Sequence, residues 1–258
     1  MLAIGLSNNT QATLQDKSLM GSIHDACSSI KPVSWVEKYI ANPMGRALIS
    51  ITGQGEALAS EEYQALVKEA QDSLEIPQDK RTQVRKIAPT SMMTEQVPVT
   101  CLIDNAIYFN EKVLAGKPFG VKRSAAFIES INLKYNYMGA QALVSIGNLA
   151  AMVGLICKIS KLQTHQAVKY LGAVGVVLGI YLIDIKQSCY CTQRTDIEGH
   201  YATKCYHCVE ESAAFRQQLI EQTNFYNKQY VLHKVSLDEI AQDLKNQNLA
   251  CSYHQAKQ

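Results

Sequence analysis

Two long stretches without a charged residue limit what this chain can fold into. Residues 138–157 read MGAQALVSIGNLAAMVGLIC, and residues 170–183 read YLGAVGVVLGIYLI. A helix that crosses a bilayer needs roughly 20 mostly apolar residues. The first stretch meets this length, and the second meets it if Lys169 and Asp184 lie at the membrane surfaces. The pattern therefore predicts a two-helix hairpin, either in a membrane or buried in a soluble protein, and we favour the membrane.

Basic residues around the two stretches predict an orientation. The connection contains Lys158, Lys161 and Lys169, and the outer flanks contain Lys122, Arg123, Lys134, Lys186 and Arg194. Because basic flanks stay on the cytoplasmic side, the larger outer group predicts a multi-pass protein with cytoplasmic termini. Gly175 and Gly179 form a GxxxG step, a spacing typical of helices that pack closely in lipid.

Composition excludes one broad class of function. The formal net charge is +2, and no basic run is interleaved with aromatic residues. A nucleic-acid-binding surface needs such a basic footprint, so we expect no nucleic-acid partner. The first residues, MLAIGLSNNTQATLQDK, also lack the basic and apolar regions of a secretory signal.

The chain divides into four segments on the basis of these patterns. Residues 1–45 are polar and contain prolines, which predicts an irregular leader. Residues 46–137 form the N-terminal half of a domain, and residues 138–186 form the hairpin. Residues 187–258 form a helical C-terminal half of the same domain.

Capping and turn residues predict the elements of that domain. Ser60 is expected to cap an amphipathic helix that Pro77 ends. Residues 97–110 are β-branched and aromatic around an Asp-Asn turn, which predicts two antiparallel strands. Residues 120–137 have helical periodicity, and Ser236 is expected to cap a short final helix. The predicted fold class is therefore α+β, mostly helical with a small antiparallel sheet.

The stretch AAFIESINLKYN has the outline of a zinc-peptidase helix. Such a helix carries His-Glu-x-x-His, in which the two histidines share one face and bind Zn²⁺ while the glutamate activates water. Here the window reads Ile128-Glu129-Ser130-Ile131-Asn132, which keeps the glutamate and lacks both imidazoles. Isoleucine offers no donor atom and an asparagine amide is a poor zinc ligand, so this window predicts no metal site.

The order of patterns over residues 58–205 resembles the membrane zinc metallopeptidases of the CAAX-prenyl-protease and HtpX type. YQALVKEAQDSLEIP resembles the helix before their sheet, and NAIYFNEKVLAGKPFGVKRSAAFIESINLKYN resembles the block that ends in their zinc helix. The two apolar stretches stand where that family has a transmembrane pair. QRTDIEGHYAT stands in the place of the helix with the third zinc ligand, so Asp196 matches the ligand glutamate and His200 the aspartate four residues on.

The resemblance implies a gluzincin-like fold that has lost its metal. Glu129 would be a vestigial general base, and Ile128, Asn132 and Asp196 would be vestigial ligand positions. Without Zn²⁺ no water is activated for the glutamate to use. The implied function is that of a catalytically inactive homologue that binds peptides or a protein partner.

Peptide binding would use a strand beside the former active site. The resemblance places this strand at Ile107, Tyr108 and Phe109, where an extended peptide could pair with an exposed strand edge.

Two other functions stay open at this point. The first is an active metallopeptidase with a non-standard site, in which Glu129 is the base and Asp196, His200 and a cysteine are ligands. It requires those groups to lie within a few ångströms of one another. The second is an unrelated helical membrane protein with a structural role, in which Glu129 is solvated. A sheet packed on the 120–137 helix would count against it.

Four of the eight cysteines form a pattern of their own. They are Cys189, Cys191, Cys205 and Cys208, arranged as CxC and CxxC. Two close pairs can bind a structural zinc ion through four thiolates. If the residues between them are helical, however, the pairs lie about 21 Å apart and cannot share one ion. A disulfide within CxxC, a site completed by His207, free thiols and palmitoylation remain alternatives, so no cofactor is expected and zinc is possible.

Overall fold

Helices dominate the computed structural model, which describes residues 37–43, 47, 53–54, 57–89, 100–103, 106–222 and 236–251. The helices are α1 (Glu61–Ser73), α2 (Glu111–Leu114), α3 (Phe119–Tyr135), α4 (Tyr137–Ser160), α5 (Gln166–Ala202), α6 (Tyr206–Gln222) and α7 (Leu237–Asn246). The strands are β1 (Gly53–Gln54), β2 (Gln83–Lys86), β3 (Ala88–Pro89), β4 (Thr100–Ile103) and β5 (Ala106–Phe109). Most of the predicted leader and the Asp-Asn turn lie outside the described residues.

Local signals account for several helix ends. The Ser236 hydroxyl accepts a hydrogen bond from the Glu239 N–H at 3.3 Å, which confirms it as the N-cap of α7. Helix α1 ends at Ser73, earlier than predicted, because Glu75 already adopts a left-handed conformation with φ 55°. Asn136 also has a left-handed φ of 53° and separates α3 from α4. Asparagine tolerates this conformation better than most residues, so the chain can change direction there.

The larger sheet has the order β2-β5-β4. Strand β5 pairs antiparallel with β4 and parallel with β2. The prediction of an antiparallel sheet is therefore wrong for the β2–β5 pairing. The buried second edge of β5 needs partners for its N–H and C=O groups, and β2 supplies them. The sequence of β2, QVRK, has one buried residue, Val84, and gave no sign of this role.

The position of β5 also corrects the predicted peptide-binding strand. Ile107, Tyr108 and Phe109 pair with β2 on one side and β4 on the other. An extended peptide cannot pair with a strand whose two edges are already bonded, so the prediction for these three residues is wrong. They belong to the core, where each is at most 5% exposed.

One hydrophobic core joins the sheet to α1 and α3. Tyr63 of α1 contacts Phe109 of β5 with ring centroids 4.8 Å apart, and Phe127 of α3 is fully buried in the same cluster. A second cluster packs Val209 of α6 against Leu237 and Leu244 of α7. Helix α3 thus lies between the sheet and the later helices, as expected for the element that would carry an active site.

Helices α4 and α5 form the predicted hairpin, and their apolar faces are exposed. Both are long and apolar enough to cross a membrane, and none of either apolar window is buried within the described structure. The exposed large apolar side chains are Ile146, Leu149, Val153, Leu155, Leu162, Val168, Tyr170, Leu171, Val174, Val177, Leu178, Tyr181, Leu182 and Ile183. No described part of the chain covers the apolar faces of the hairpin, which favours the membrane over the alternative of a hairpin buried in a soluble protein.

Polar residues within the hairpin face its partner helix. The Ser145 hydroxyl and the Asn148 amide both donate to Asp184 Oδ1, at 2.7 and 3.3 Å. Two polar residues of the first apolar stretch, Ser145 and Asn148, are thus paired with Asp184, which follows the second stretch. In contrast, a Cβ added at Gly175 or Gly179 would meet no atom within 4 Å, so the GxxxG step does not pack against the described part of the chain.

A single helix joins the hairpin to the domain. Helix α5 has 37 residues, which corresponds to a length of about 55 Å. Its first half packs on α4, and its second half crosses α3. One helix therefore belongs to both the hairpin and the domain.

Candidate functional site

The window that resembles a zinc motif, residues 128–132, lies in α3, and two of its polar side chains, Glu129 and Asn132, bond to each other. Glu129 is only 6% exposed, and the Asn132 amide donates a hydrogen bond to its Oε2 at 3.0 Å. An active general base would need a water molecule held by a metal beside it. Here the Asn132 side chain bonds to the carboxylate, and Ile128, the other residue that the resemblance aligns with a zinc ligand, has no donor atom.

Helix α5 crosses α3 at this window. A Cβ added at Gly199 would lie 2.6 Å from Ile128 Cγ1 and 2.8 Å from Ile128 Cα, closer than real Cβ contacts. Only glycine lets the two backbones approach to this distance. The resemblance predicted that the helix of residues 193–203 approaches the window, and the structure brings the two together. The contact, however, is an apolar helix crossing.

Asp196, which the resemblance aligns with the third zinc ligand, is held in an ion pair. Its Oδ1 is 2.7 Å from Arg216 Nη2 of α6 and 3.4 Å from His200 Nδ1. His200 is 1% exposed, and its Nδ1 is 2.7 Å from the carbonyl oxygen of Asp196. Since a carbonyl accepts hydrogen bonds, Nδ1 carries the proton. Asp196 and His200 share one face of α5, as their spacing predicts.

These groups do not assemble a metal site. Within the described residues, Glu129, Asp196 and His200 do not form a set of three ligand atoms within 4.8 Å of one another. The residues that stand at the family's zinc positions therefore do not fit the ion. The convergence that an active metallopeptidase with a non-standard site requires is absent from this part of the chain.

The cysteines form a different group from the one expected. Helix α5 is continuous to Ala202, so most of the residues between Cys191 and Cys205 are helical, which counts against the alternative of a four-cysteine zinc site. Cys191 is buried beside Gln187, and the side chain of Cys189 lies outside the described residues. Cys205 and Cys208 instead meet Cys251, and the three sulfur atoms lie within 4.8 Å of one another.

Cys251 is the residue that sequence reasoning missed. It follows α7, 43 positions after Cys208 along the chain. One signal could have found it: Cys251 and His254 form a CxxH pair, the same spacing as the CxxC pair. CxxC with CxxH is a common arrangement of zinc ligands.

The two thiols of the CxxC pair are coupled. A hydrogen bond from the Cys208 thiol lowers the pKa of Cys205 to about 4. The same hydrogen bond, together with burial, raises the pKa of Cys208. This coupling favours one thiolate in the pair, and thiolates are the form that binds metals.

Arg123 connects this cluster to the rest of the domain. From α3 it donates to the Thr203 carbonyl oxygen at 2.8 Å and to Glu69 Oε1 at 2.7 Å, and its Nη1 is 3.6 Å from Cys208 Sγ. Its guanidinium also lies 4.9 Å from the Phe127 ring centroid. One side chain thus joins α1, α3 and the turn between α5 and α6.

Comparison of the chain with protein-family models, curated proteins and solved structures finds no match.

Replacement of Arg123 by alanine is expected to destabilise the domain. Hydrogen bonds to a charged group contribute about 1.5 to 3 kcal/mol, and the buried Thr203 carbonyl would lose its donor, so we expect a loss of about 2 to 3 kcal/mol. In a domain of this size that corresponds to a fall in Tm of roughly 4 to 12 °C. Circular dichroism of the detergent-solubilised protein during heating measures it.

Lys122→Ala is the matched control, because Lys122 is the neighbouring residue and its ion pair with Glu62 is more exposed. Such a pair contributes about 0 to 1 kcal/mol. Equal losses of stability in the two variants would contradict the central position assigned to Arg123.

Proposed function

We propose that this protein is a membrane-anchored, catalytically inactive relative of membrane zinc endopeptidases that acts by binding a peptide or protein partner. The observation that carries the proposal is the crossing of α3 and α5 at Ile128 and Gly199. The helices approach each other where a zinc ion would need ligands, and an apolar backbone contact takes the place of the metal. The ion pair between Asp196 and Arg216 also supports the proposal, because the Asp196 carboxylate is then already bound to a cation of the protein.

The anchor in this proposal is the α4–α5 hairpin. Its exposed apolar side chains would be covered by lipid, and transfer of such surface out of water is favourable by roughly 25 cal/mol per Å². The contact of Ser145 and Asn148 with Asp184 supports the same arrangement, because polar groups in a membrane pair with each other between helices. The excess of basic residues on the outer flanks favours cytoplasmic termini.

The partner-binding surface in this proposal is the outer edge of β4. Strand β4 pairs with β5 on one side, and no other strand of the described residues pairs with its far side. The far side of β2 is less accessible, since Ala59 N–H donates to the Val84 carbonyl oxygen at 3.0 Å. An exposed strand edge binds extended peptides through main-chain hydrogen bonds.

The unrelated helical membrane protein is less well supported. The sheet that would count against it is present, and α3 packs on β4. A sheet packed on the motif-bearing helix is what the peptidase resemblance implies, whereas a purely structural helical protein needs none.

Two measurements test the proposed function together. Purified protein with added zinc is expected to cleave fluorescent casein no faster than a chelator-treated sample. Extended peptides selected against the protein are expected to slow hydrogen exchange of the amides in Thr100–Ile103, with no change in α1. Zinc-dependent cleavage would contradict the loss of catalysis, and protection confined to other elements would contradict the binding edge.

A further inference from the structure

Three sulfur atoms from distant parts of the chain have nearly the spacing of metal ligands. Cys205 lies in the turn after α5, Cys208 in the first turn of α6, and Cys251 after α7. Cys251 Sγ is 3.0 Å from Cys205 Sγ and 3.9 Å from Cys208 Sγ. In a tetrahedral site with Zn–S bonds of 2.3 Å, sulfur atoms are roughly 3.8 Å apart. A single ion at the centre of this group could contact all three.

The backbone around the cluster holds the sulfurs in place. The Tyr206 N–H donates to the Leu249 carbonyl oxygen at 2.9 Å, which fixes the segment after α7 against the start of α6. The Cys251 N–H points at Cys205 Sγ at a distance of 3.3 Å. Backbone N–H groups directed at sulfur stabilise the thiolate form. The site is therefore preorganised by hydrogen bonds that do not depend on an ion.

Charge and burial distinguish the cluster from ordinary core thiols. Cys205 and Cys208 are both 0% exposed, and the guanidinium of Arg123, 7% exposed, approaches Cys208 Sγ. Zn²⁺ with three thiolates carries a net charge of −1, which a neighbouring cation partly neutralises. The guanidinium is already paired with Glu69 at 2.7 Å, and its Nη1, 3.6 Å from Cys208 Sγ, brings positive charge beside the cluster.

We propose that Cys205, Cys208 and Cys251 bind one zinc ion, which fastens the segment after α7 to the turn between α5 and α6. The soft thiolate ligands select zinc over the hard cations Mg²⁺ and Ca²⁺. Binding releases the thiol protons to solvent, so zinc affinity falls as the pH is lowered. This site is separate from the former peptidase window in α3 and does not depend on the proposed function.

The test is the metal content of the full chain, purified in detergent with a phosphine reductant and measured by inductively coupled plasma mass spectrometry. Wild-type protein is expected to hold about one zinc per chain, and Cys205→Ser, Cys208→Ser and Cys251→Ser less than about a tenth of that. Cys157→Ser is the matched control, because Cys157 is exposed on α4, and it is expected to keep its zinc.

Cobalt substitution keeps the test independent of folding yield. Wild-type protein loaded with Co²⁺ is expected to show thiolate-to-cobalt charge-transfer absorption, which soluble, folded cysteine variants lack. Wild-type protein without zinc, or with copper or iron in its place, would overturn the proposal. So would zinc that survives loss of the cysteines. A chain lighter by two hydrogen atoms, with Cys205 and Cys251 joined in a disulfide, would overturn it as well.

Discussion

A chain that carries both Leu149→Arg and Leu178→Arg is expected to leave the membrane fraction. Leu149 is 56% exposed near the middle of α4, and Leu178 is 55% exposed in the first half of α5. An arginine at the centre of a membrane helix costs about 2.5 to 3.5 kcal/mol, so the two together cost about 5 to 7 kcal/mol. The same change at an exposed site in water alters stability by about 0.5 kcal/mol or less. The share of protein in the pellet after alkaline carbonate extraction measures the effect.

The matched control for this variant is Leu162→Arg. Leu162 is 51% exposed, similar to the two test residues, but it lies in the connection between α4 and α5. A connection at the membrane surface accepts an arginine, so this variant is expected to stay in the pellet. If the double variant also stayed in the pellet with unchanged folding, the α4–α5 hairpin would not be the anchor.

Gly199→Ala is expected to weaken the crossing of α3 and α5. Its new Cβ would lie 2.8 Å from Ile128 Cα, a backbone atom that cannot rotate away. Overpacking of this kind costs about 1 to 3 kcal/mol, against a gain in helix propensity of up to about 1 kcal/mol. The net result is a lower Tm for the detergent-solubilised protein, measured by circular dichroism during heating.

Gly147→Ala is the control for the glycine substitution. A Cβ at Gly147 would meet no atom within 4 Å, so only the gain in helix propensity remains and Tm is not expected to fall. Adding Ile128→Ala to Gly199→Ala removes the Cγ1 contact and is expected to recover part of the loss, which a double-mutant cycle measures as coupling. If the effects of the two substitutions on stability were additive, Gly199 and Ile128 would not be in energetic contact at the crossing.

Elements whose signals are local could be predicted. The hairpin follows from two uncharged stretches, and the cap of α7 follows from Ser236 before an apolar repeat. The helix at 120–137 was predicted to within two residues of its ends. In each case the residues that specify the element lie within the element, and propensity and periodicity act over that range.

Contacts between distant segments could not be predicted. The parallel pairing of β2 with β5 depends on which strand reaches the buried edge of β5. The sequence of β2, QVRK, has no pattern that predicts this pairing. For the same reason the residues predicted to bind peptides at an edge turned out to be central. Cys251 was overlooked because its partners are more than 40 positions away, as the separation of 43 from Cys208 shows.

The sequence by itself determined the two apolar helices, the absence of imidazoles from the window of residues 128–132, and the α+β class. These features follow from residue types alone, because the hydrophobicity of a side chain and its ability to bind a metal do not depend on its neighbours in space. Tertiary structure alone decided that Gly199 meets Ile128, that Asp196 pairs with Arg216, and that the three cysteines come together. Long-range contacts form when burial elsewhere offsets the entropy of closing large loops, so the packing of the whole domain sets them.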